Sequence, residues 1–256
     1  MSVFHREGDL FVPTGHATGP WDRGQQHGGA PAALATRAIE ALAPDMQLAR
    51  LTVEFLGVVP LEPLKVHAEI SRAGRRMQLA WAMISLDGGR GVARASAMLL
   101  HRQQHDGVPE GTAGPPLDAG PEDGRVAHFE NEDIEAFHRT AMDMRWVEGD
   151  WSRGPGTVWF RLAHAIVDDE EPSPAMRAVA AADFGNGVSQ VLPFDEWLFT
   201  NTDLTVHLHR PPNGEWVALD ARTIAEPSGV GLALSTLHDV DGPVGTGQQT
   251  LYVAPR

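Results

Sequence analysis

The chain has 256 residues, is 42% apolar and 21% charged, and carries a formal net charge of −14. Such acidity repels phosphate backbones and anionic lipid, which argues against nucleic-acid and membrane-surface partners. The absence of cysteine excludes disulfides, thiolate nucleophiles and cysteine-ligated zinc. The opening "MSVFHREGDL" lacks an apolar signal core, and no stretch reaches the ~18 apolar residues of a membrane span, so a cytoplasmic protein with no membrane insertion is expected.

In chain order, a Pro-opened apolar segment, "APAALATRAIEAL" (30–42), predicts a helix. Only Thr36, Arg37 and Glu40 are polar in it, on one narrow stripe, which is the pattern of a buried helix. Alternating or apolar runs then predict strands at 49–60, 63–72, 77–88 and 92–102. Residues 103–125, "QQHDGVPEGTAGPPLDAGPEDGR", are rich in Gly, Pro and charge and read as a linker or long surface loop. Beyond it a second Pro-opened helix, "PAMRAVAAAD" (174–183), precedes strands at 202–211, 215–224, 230–242 and 244–253.

The same helix and four strands thus occur twice, sharing an L-T-V core (51–53 and 204–206) and an Asp-Gly turn (87–88 and 241–242). The division expected is an N-terminal unit over 1–102, the linker over 103–125 and a C-terminal unit over 126–256. Helices lying on one face of an antiparallel sheet give an α+β class. No G-x-S-x-G elbow, P-loop or H-E-x-x-H motif is present, and "GTGQQT" lacks the third glycine of a dinucleotide fingerprint. His207 and His209 form an H-x-H pair without a third ligand pattern, so neither a metal nor a cofactor is expected.

The segments "QHGGAPAALATRAIE", "VEFLGVVPLEPLKVHAEISRAGRR", "ADFGNGVS", "DLTVHLHR", "EWVALDART" and "GQQTLYV" together resemble the acyl-CoA thioesterase II-like (TesB-like) family. The resemblance runs from about Trp21 to Val253 and leaves the linker unmatched. It implies a double hotdog, two fused units each with a curved antiparallel sheet around a central helix. It also implies hydrolysis of an acyl-CoA thioester to free acid and coenzyme A, and leaves room for a homo-oligomer of double hotdogs. An Asp, a Thr and a Gln of the C-terminal unit would hold the attacking water, and by the resemblance these fall on Asp203, Thr223 and Gln249, the last preferred to Gln248.

Local geometry is consistent with that placement under one condition. If residues 211–215 form a five-residue loop, Arg210 pairs with Trp216 and hence Asp203 with Thr223, with Cβ atoms about 5 Å apart on one face. A tight Asn213-Gly214 hairpin would put the two on opposite faces, but Pro212 could not then donate its ladder bond. The repeats also differ: Arg50 stands where the second has Asp203, and Ala97 where it has Gln249, as expected of one active and one decayed half.

His27, Gly28 and Gly29, just ahead of the first helix, suit polarisation of the thioester carbonyl, because a helix N-terminus offers free N–H groups and glycines let a ligand come close. Asp183, in the last turn of the second helix, opposes the helix dipole and is expected either to line the pocket or to bind a backbone amide. Arg75 and Arg76, beside Arg72 in "SRAGRRMQ", are either a solvated turn or a contact for coenzyme A phosphates. A non-catalytic acyl-CoA binding protein and a hotdog dehydratase or hydratase on 3-hydroxyacyl thioesters are the alternatives. The dehydratase lacks its Asp-x-Asn-Pro-x-His-like motif here.

Overall fold

The structure, a computed structural model, describes residues 1–103, 105–109, 111–129, 134–151 and 154–256. Its first half contains β1 (Ser2–Glu7), β2 (Leu10–Pro13), α1 (Gly29–Leu42), β3 (Met46–Phe55), β4 (Leu64–Arg72), β5 (Met77–Leu86) and β6 (Gly91–His101). Four strands follow, β7 (Arg125–Val126), β8 (Met142–Glu148), β9 (Gly156–Leu162) and β10 (Ala165–Val167). The chain then runs through α2 (Pro174–Ala182), α3 (Gly185–Val188), β11 (Trp197–Asn201), β12 (Asp203–Leu208), β13 (Val217–Ala225), β14 (Val230–Asp239) and β15 (Gly242–Pro255).

Both long helices form for local reasons and survive through burial. The Ser173 hydroxyl accepts from Met176 N–H and Pro174 fills the first helical position, so α2 has a made N-cap. α1 is alanine-rich and stops at Ala43, ahead of Pro44. The one polar side chain buried at its centre, Thr36, donates to Ala32 C=O and leaves no orphan. The two helices pack antiparallel: Glu40, near the end of α1, meets Ser173 at the start of α2, and Gly29, at the start of α1, meets Ala180 near the end of α2. A Cβ on Gly29 would stand 2.9 Å from Ala180 O, so this close crossing requires glycine.

The strands make one large, mostly antiparallel sheet in the order β10-β1-β2-β4-β5-β6-β3-β12-β15-β14-β13-β9-β8-β7, with β11 also paired to β15. Its centre is the β3–β12 pair, where the two L-T-V cores meet: Leu51 lies opposite Val206, Thr52 opposite Thr205 and Val53 opposite Leu204. The Thr205 hydroxyl donates to that of Thr52 at 3.1 Å, on a local twofold relating β4-β5-β6-β3 to β13-β14-β15-β12. α1 lies against β3 to β6, and α2 against β9, β12, β13 and β14.

Two features depart from the sequence reading. The pairing of Asp203 with Thr223 does not occur, because β15 and β14 lie between β12 and β13. "RPPNGE" carries the chain across those two strands instead of turning a hairpin. It is fastened on the way: the fully buried Asp239 carboxylate accepts from Arg210, from Asn213 N–H at 2.7 Å and from Asp241 N–H at 2.9 Å. The second departure is β10, which follows the linker in sequence yet pairs parallel with β1 at the edge nearest the first repeat. The far end of the 103–125 segment is likewise tied to the second half, since Trp159 Nε1–H donates to Ala119 C=O.

Candidate functional site

The site begins where α2 ends. Asp183 caps its C-terminus and α3 starts two residues later, so the carboxylate sits at a break between helices and is 4% exposed. A negative charge at a helix C-terminus is unfavourable, but here the N-terminus of α1 points at it and supplies the compensating positive end. The approach is close enough to exclude any side chain at Gly28. A Cβ there would lie 2.8 Å from Asp183 Oδ2 and 2.7 Å from Phe55 Cζ.

Three side chains hold this carboxylate. His27 Nδ1 is 2.9 Å from Oδ2, with the imidazole packed against Phe137 (5.0 Å) and Phe184 (4.4 Å). Nδ1 also accepts from Gly29 N–H at 3.1 Å. Asn201 Nδ2 donates to Oδ1 at 2.8 Å. Gln249, 1% exposed, donates from Nε2 to Asp183 C=O at 3.0 Å and to Oδ1 at 3.3 Å, while its Oε1 accepts from Asn186 N–H at 2.9 Å. Gln249 thereby ties the final strand to both sides of the helix break.

Beside this cluster opens a cavity of about 700 Å³, whose wall includes His27, Gly28, Phe55, His138, Asp183 and Asn201. Among the hydrogen bonds of the described residues the Gly28 N–H donates to none, so it is free to meet a ligand. His138 belongs to a π-helical turn, Phe137–Ala141. Burial first, then the charges of His27 and Arg139, push the pKa of its imidazole down to about 3.

The residues expected to hold water are only partly brought together. Gln249 and Asp183 meet, and so do His27 and Gly28. Asp203 faces away from them, because the strand carries a bulge: Asn201 pairs with Leu251 and Thr205 with Gln248, a slip of one residue between β11 and β12. That slip turns Asn201 inward with the buried Leu251 and Asp203 outward beside Thr250. There Asp203 Oδ1 accepts from Thr250 N–H at 2.7 Å, replacing the ladder partner that the bulge removes. Period-two alternation therefore fails at this point, and Asn201, which the sequence reading did not single out, occupies the inward position.

Thr223 does face inward, in one row with Ala233 and Gln249, but Ala233 separates it from Gln249, which puts its strand about 10 Å away. Its hydroxyl pairs with Ser189 Oγ at 2.7 Å, and Ser189 donates to Gly185 C=O, so Thr223 braces α3. Gly29 makes the helix crossing described above. Arg75 lines a separate hollow with Gly74 and the Leu42–Met46 segment, at the far end of α1. That helix has 14 residues, so Arg75 and its neighbour Arg76 lie about 20 Å from Asp183 along its axis. Among the described residues no three His, Asp or Glu side chains converge where they could hold a metal ion, and no helix is long and apolar enough to cross a membrane.

Solved structures share this fold, three of which show the range of similarity. A protein from Novosphingobium aromaticivorans DSM 12444, provisionally named a thioesterase, is 20% identical, with 98% of each chain covered and a TM-score of 0.74. A hot dog fold protein of unknown function from Alicyclobacillus acidocaldarius is 17% identical over 97% of this chain and 94% of its own, with a TM-score of 0.72. Acyl-CoA thioesterase II TesB2 from Mycobacterium marinum is 15% identical over 98% of this chain and 93% of its own, with a TM-score of 0.65. No curated protein matches the chain. The profile of the acyl-CoA thioesterase N-terminal domain matches residues 17–100, and that of the acyl-CoA thioesterase C-terminal domain matches residues 112–253. Together they cover most of the sequence, and the chain belongs to the acyl-CoA thioesterase family.

Proposed function

We propose that the protein is a double-hotdog acyl-CoA thioesterase in which Asp183 activates water for direct attack on the thioester. The observation that carries this reading is the placement of one buried carboxylate on the wall of a large cavity, against the unpartnered N–H of Gly28 at the start of α1. Both oxygens of Asp183 already accept or share hydrogen bonds with Asn201, Gln249 and His27. A carboxylate held in this way is suited to taking a proton from water more than to attacking carbon itself.

In the reaction the water oxygen bonds to the thioester carbon while its proton passes to Asp183. The carbonyl oxygen gains the electron pair, and the Gly28 N–H, with the positive end of α1 behind it, stabilises that charge. The tetrahedral intermediate then collapses, the C–S bond breaks, and the coenzyme A thiolate takes the proton back from Asp183. Asn201 and Gln249 keep the carboxylate aimed. His27 adds a further restraint on the carboxylate, with its Nδ1 2.9 Å from Oδ2.

Coenzyme A release from short-, medium- and long-chain acyl-CoAs tests the activity, and a single turnover in ¹⁸O-water tests the route. Direct attack puts ¹⁸O into the acid on the first turnover. An unlabelled first product, with ¹⁸O left in Asp183, would mean a covalent intermediate. Binding of acyl-CoA without any release of thiol would leave only a binding protein.

A further inference from the structure

The reaction as described needs Gly28, Asp183 and the residues that aim it, and leaves most of the cavity wall without a role. That wall is unlike the chain around it, which is 42% apolar and rich in Leu and Ala. Among the described residues the wall includes no Leu, Ile, Met or Ala, and its aliphatic share is Pro20, Val58 and Val59. Its remaining apolar surface is aromatic, with Trp21, Phe55, Phe194 and Phe199 among the rings.

Phe55 stands at the reacting end. A Cβ built on Gly28 would touch both its Cζ, at 2.7 Å, and Asp183 Oδ2, at 2.8 Å, so the ring tip and the carboxylate oxygen are themselves neighbours. Phe55 N–H donates to Thr202 C=O at 3.0 Å, which fastens it beside the strand that carries Asn201. On that strand Phe199 shares the inward face with Asn201 and lies two residues, about 7 Å, away. The Phe199 ring meets Trp21 edge-on at 5.1 Å, and Trp21 stacks on Phe194 at 4.6 Å. The Arg256 guanidinium lies 4.6 Å from the centre of Phe194 and 5.3 Å from that of Trp21, so these rings are held in place.

Rigid rings discriminate among apolar guests. A flat aromatic guest sits offset or edge-on against them and gains more than its buried area supplies, whereas a saturated group of the same size gains the area only. A straight chain also gives up rotational freedom when it is ordered. Met, the adaptable residue for irregular apolar guests, is missing from the described wall. We infer that the acyl group cleaved here carries an aromatic ring, seated against Phe55 and the Trp21–Phe194–Phe199 cluster. The inference rests on the thioesterase reading and adds the class of acyl group to it. Adenine is another ring in any acyl-CoA, but it lies beyond the whole pantetheine arm and the diphosphate. Phe55 touches the reacting end, and Phe199 is two residues from Asn201.

The test uses 3-phenylpropionyl- and 4-phenylbutyryl-CoA, each beside its cyclohexyl analogue and the straight chain of equal carbon number. Methylenes separate ring from carbonyl throughout, so the intrinsic reactivity of the thioester is matched. Wild-type kcat/KM should favour the phenyl member over both others by about tenfold in at least one set, the worth of two good ring contacts. Phe55→Leu and, separately, Trp21→Leu keep apolar bulk and remove a ring, and each should lower that ratio by about threefold or more. Melting curves accompany both, and two positions guard against one variant that fails to fold. The same acyl groups on N-acetylcysteamine, which lacks the diphosphate and adenine, should keep the wild-type ratio. Phenyl and cyclohexyl members cleaved alike by the wild type would overturn the inference. So would a Trp21→Leu protein that loses affinity for every coenzyme A thioester alike and for no N-acetylcysteamine thioester, which would give the rings to adenine. If no acyl-CoA is cleaved at all, the thioesterase reading falls by itself. The Kd values for the same sets then decide the inference separately, on the same expected ratios.

Discussion

His27 Nδ1 and Asp183 Oδ2 meet at 2.9 Å across the junction of the two repeats, one from the segment that opens α1 and the other from the residue that closes α2. Neither repeat contains the site alone. The local twofold at Thr52 and Thr205 generates a second junction at the other ends of the helices, where Ser173 opens α2 and Ala43 closes α1. There the partner of Gln249 is Ala97, because Val206 pairs with Gly247 as Val53 pairs with Ala95. With an apolar residue at both key places, the second junction has no counterpart of Asp183 or Gln249; the carboxylate there is Glu40, which accepts from the Ser173 hydroxyl.

Gly28→Ala should be among the most damaging small substitutions. Its methyl would lie 2.8 Å from Asp183 Oδ2 and 2.7 Å from the Phe55 ring, closer than Cβ atoms come to such neighbours. Displacing the carboxylate by even about 1 Å is expected to cost on the order of 100-fold in kcat. Steady-state kinetics beside a melting curve check this, and full activity in a folded Gly28→Ala protein would speak against the proposed oxyanion position.

Asn201→Asp replaces a donor, 2.8 Å from Asp183 Oδ1, with a second carboxyl group. Two carboxylates at that separation cannot both ionise, so one of the pair binds a proton to higher pH. The acidic limb of the kcat/KM pH profile should move upward by about a unit or more, and the maximum should fall. Asn201→Ala should lower the maximum without that shift. Identical profiles for the two variants would contradict the role given to Asn201.

His138 makes the protein sensitive to acid. Its pKa is about 3 in the folded chain and near 6.5 when unfolded, so the unfolded state binds the extra proton between those values. Stability from this group is complete above about pH 6.5 and is lost progressively as pH falls towards 3, by a few kcal/mol at order of magnitude. His138→Phe should therefore flatten the decline of Tm between pH 6.5 and 4 relative to wild type. Parallel Tm curves would show that the imidazole titrates normally.

The repeat of helix and four strands, both helix starts and the L-T-V pair were all legible in the sequence, because periodicity and capping are local signals, whereas Gln249 was pointed to only by the family resemblance. What was not legible depends on distant partners. The order of β12 and β13 is set by β14 and β15 coming between them, and a Pro-Pro-Asn-Gly segment reads equally as a turn or as a crossover. The bulge after Asn201 changes which side chains face inward, yet it appears only in the register against β15. For the same reason Asp203 looked eligible for chemistry while it serves the backbone of Thr250. Asp183 stood out as a charge at the wrong end of a helix, and its neighbour from α1 explains it. His138 lies in a π-helical turn with no periodic signature, and its orphaned nitrogen is visible only in the fold.

The contrast between the two aspartates bears most directly on this account. Coenzyme A release should be measured for the wild type, Asp183→Asn and Asp203→Asn on whichever acyl-CoA the wild type cleaves fastest, with acyl-CoA affinity measured in parallel. Asp183→Asn should lose at least about 100-fold in kcat while still binding the thioester, as removal of a general base requires. Asp203→Asn keeps an oxygen for Thr250 N–H and should stay within a few-fold of wild type. The reverse pattern, an active Asp183→Asn beside an inactive Asp203→Asn, would contradict the account.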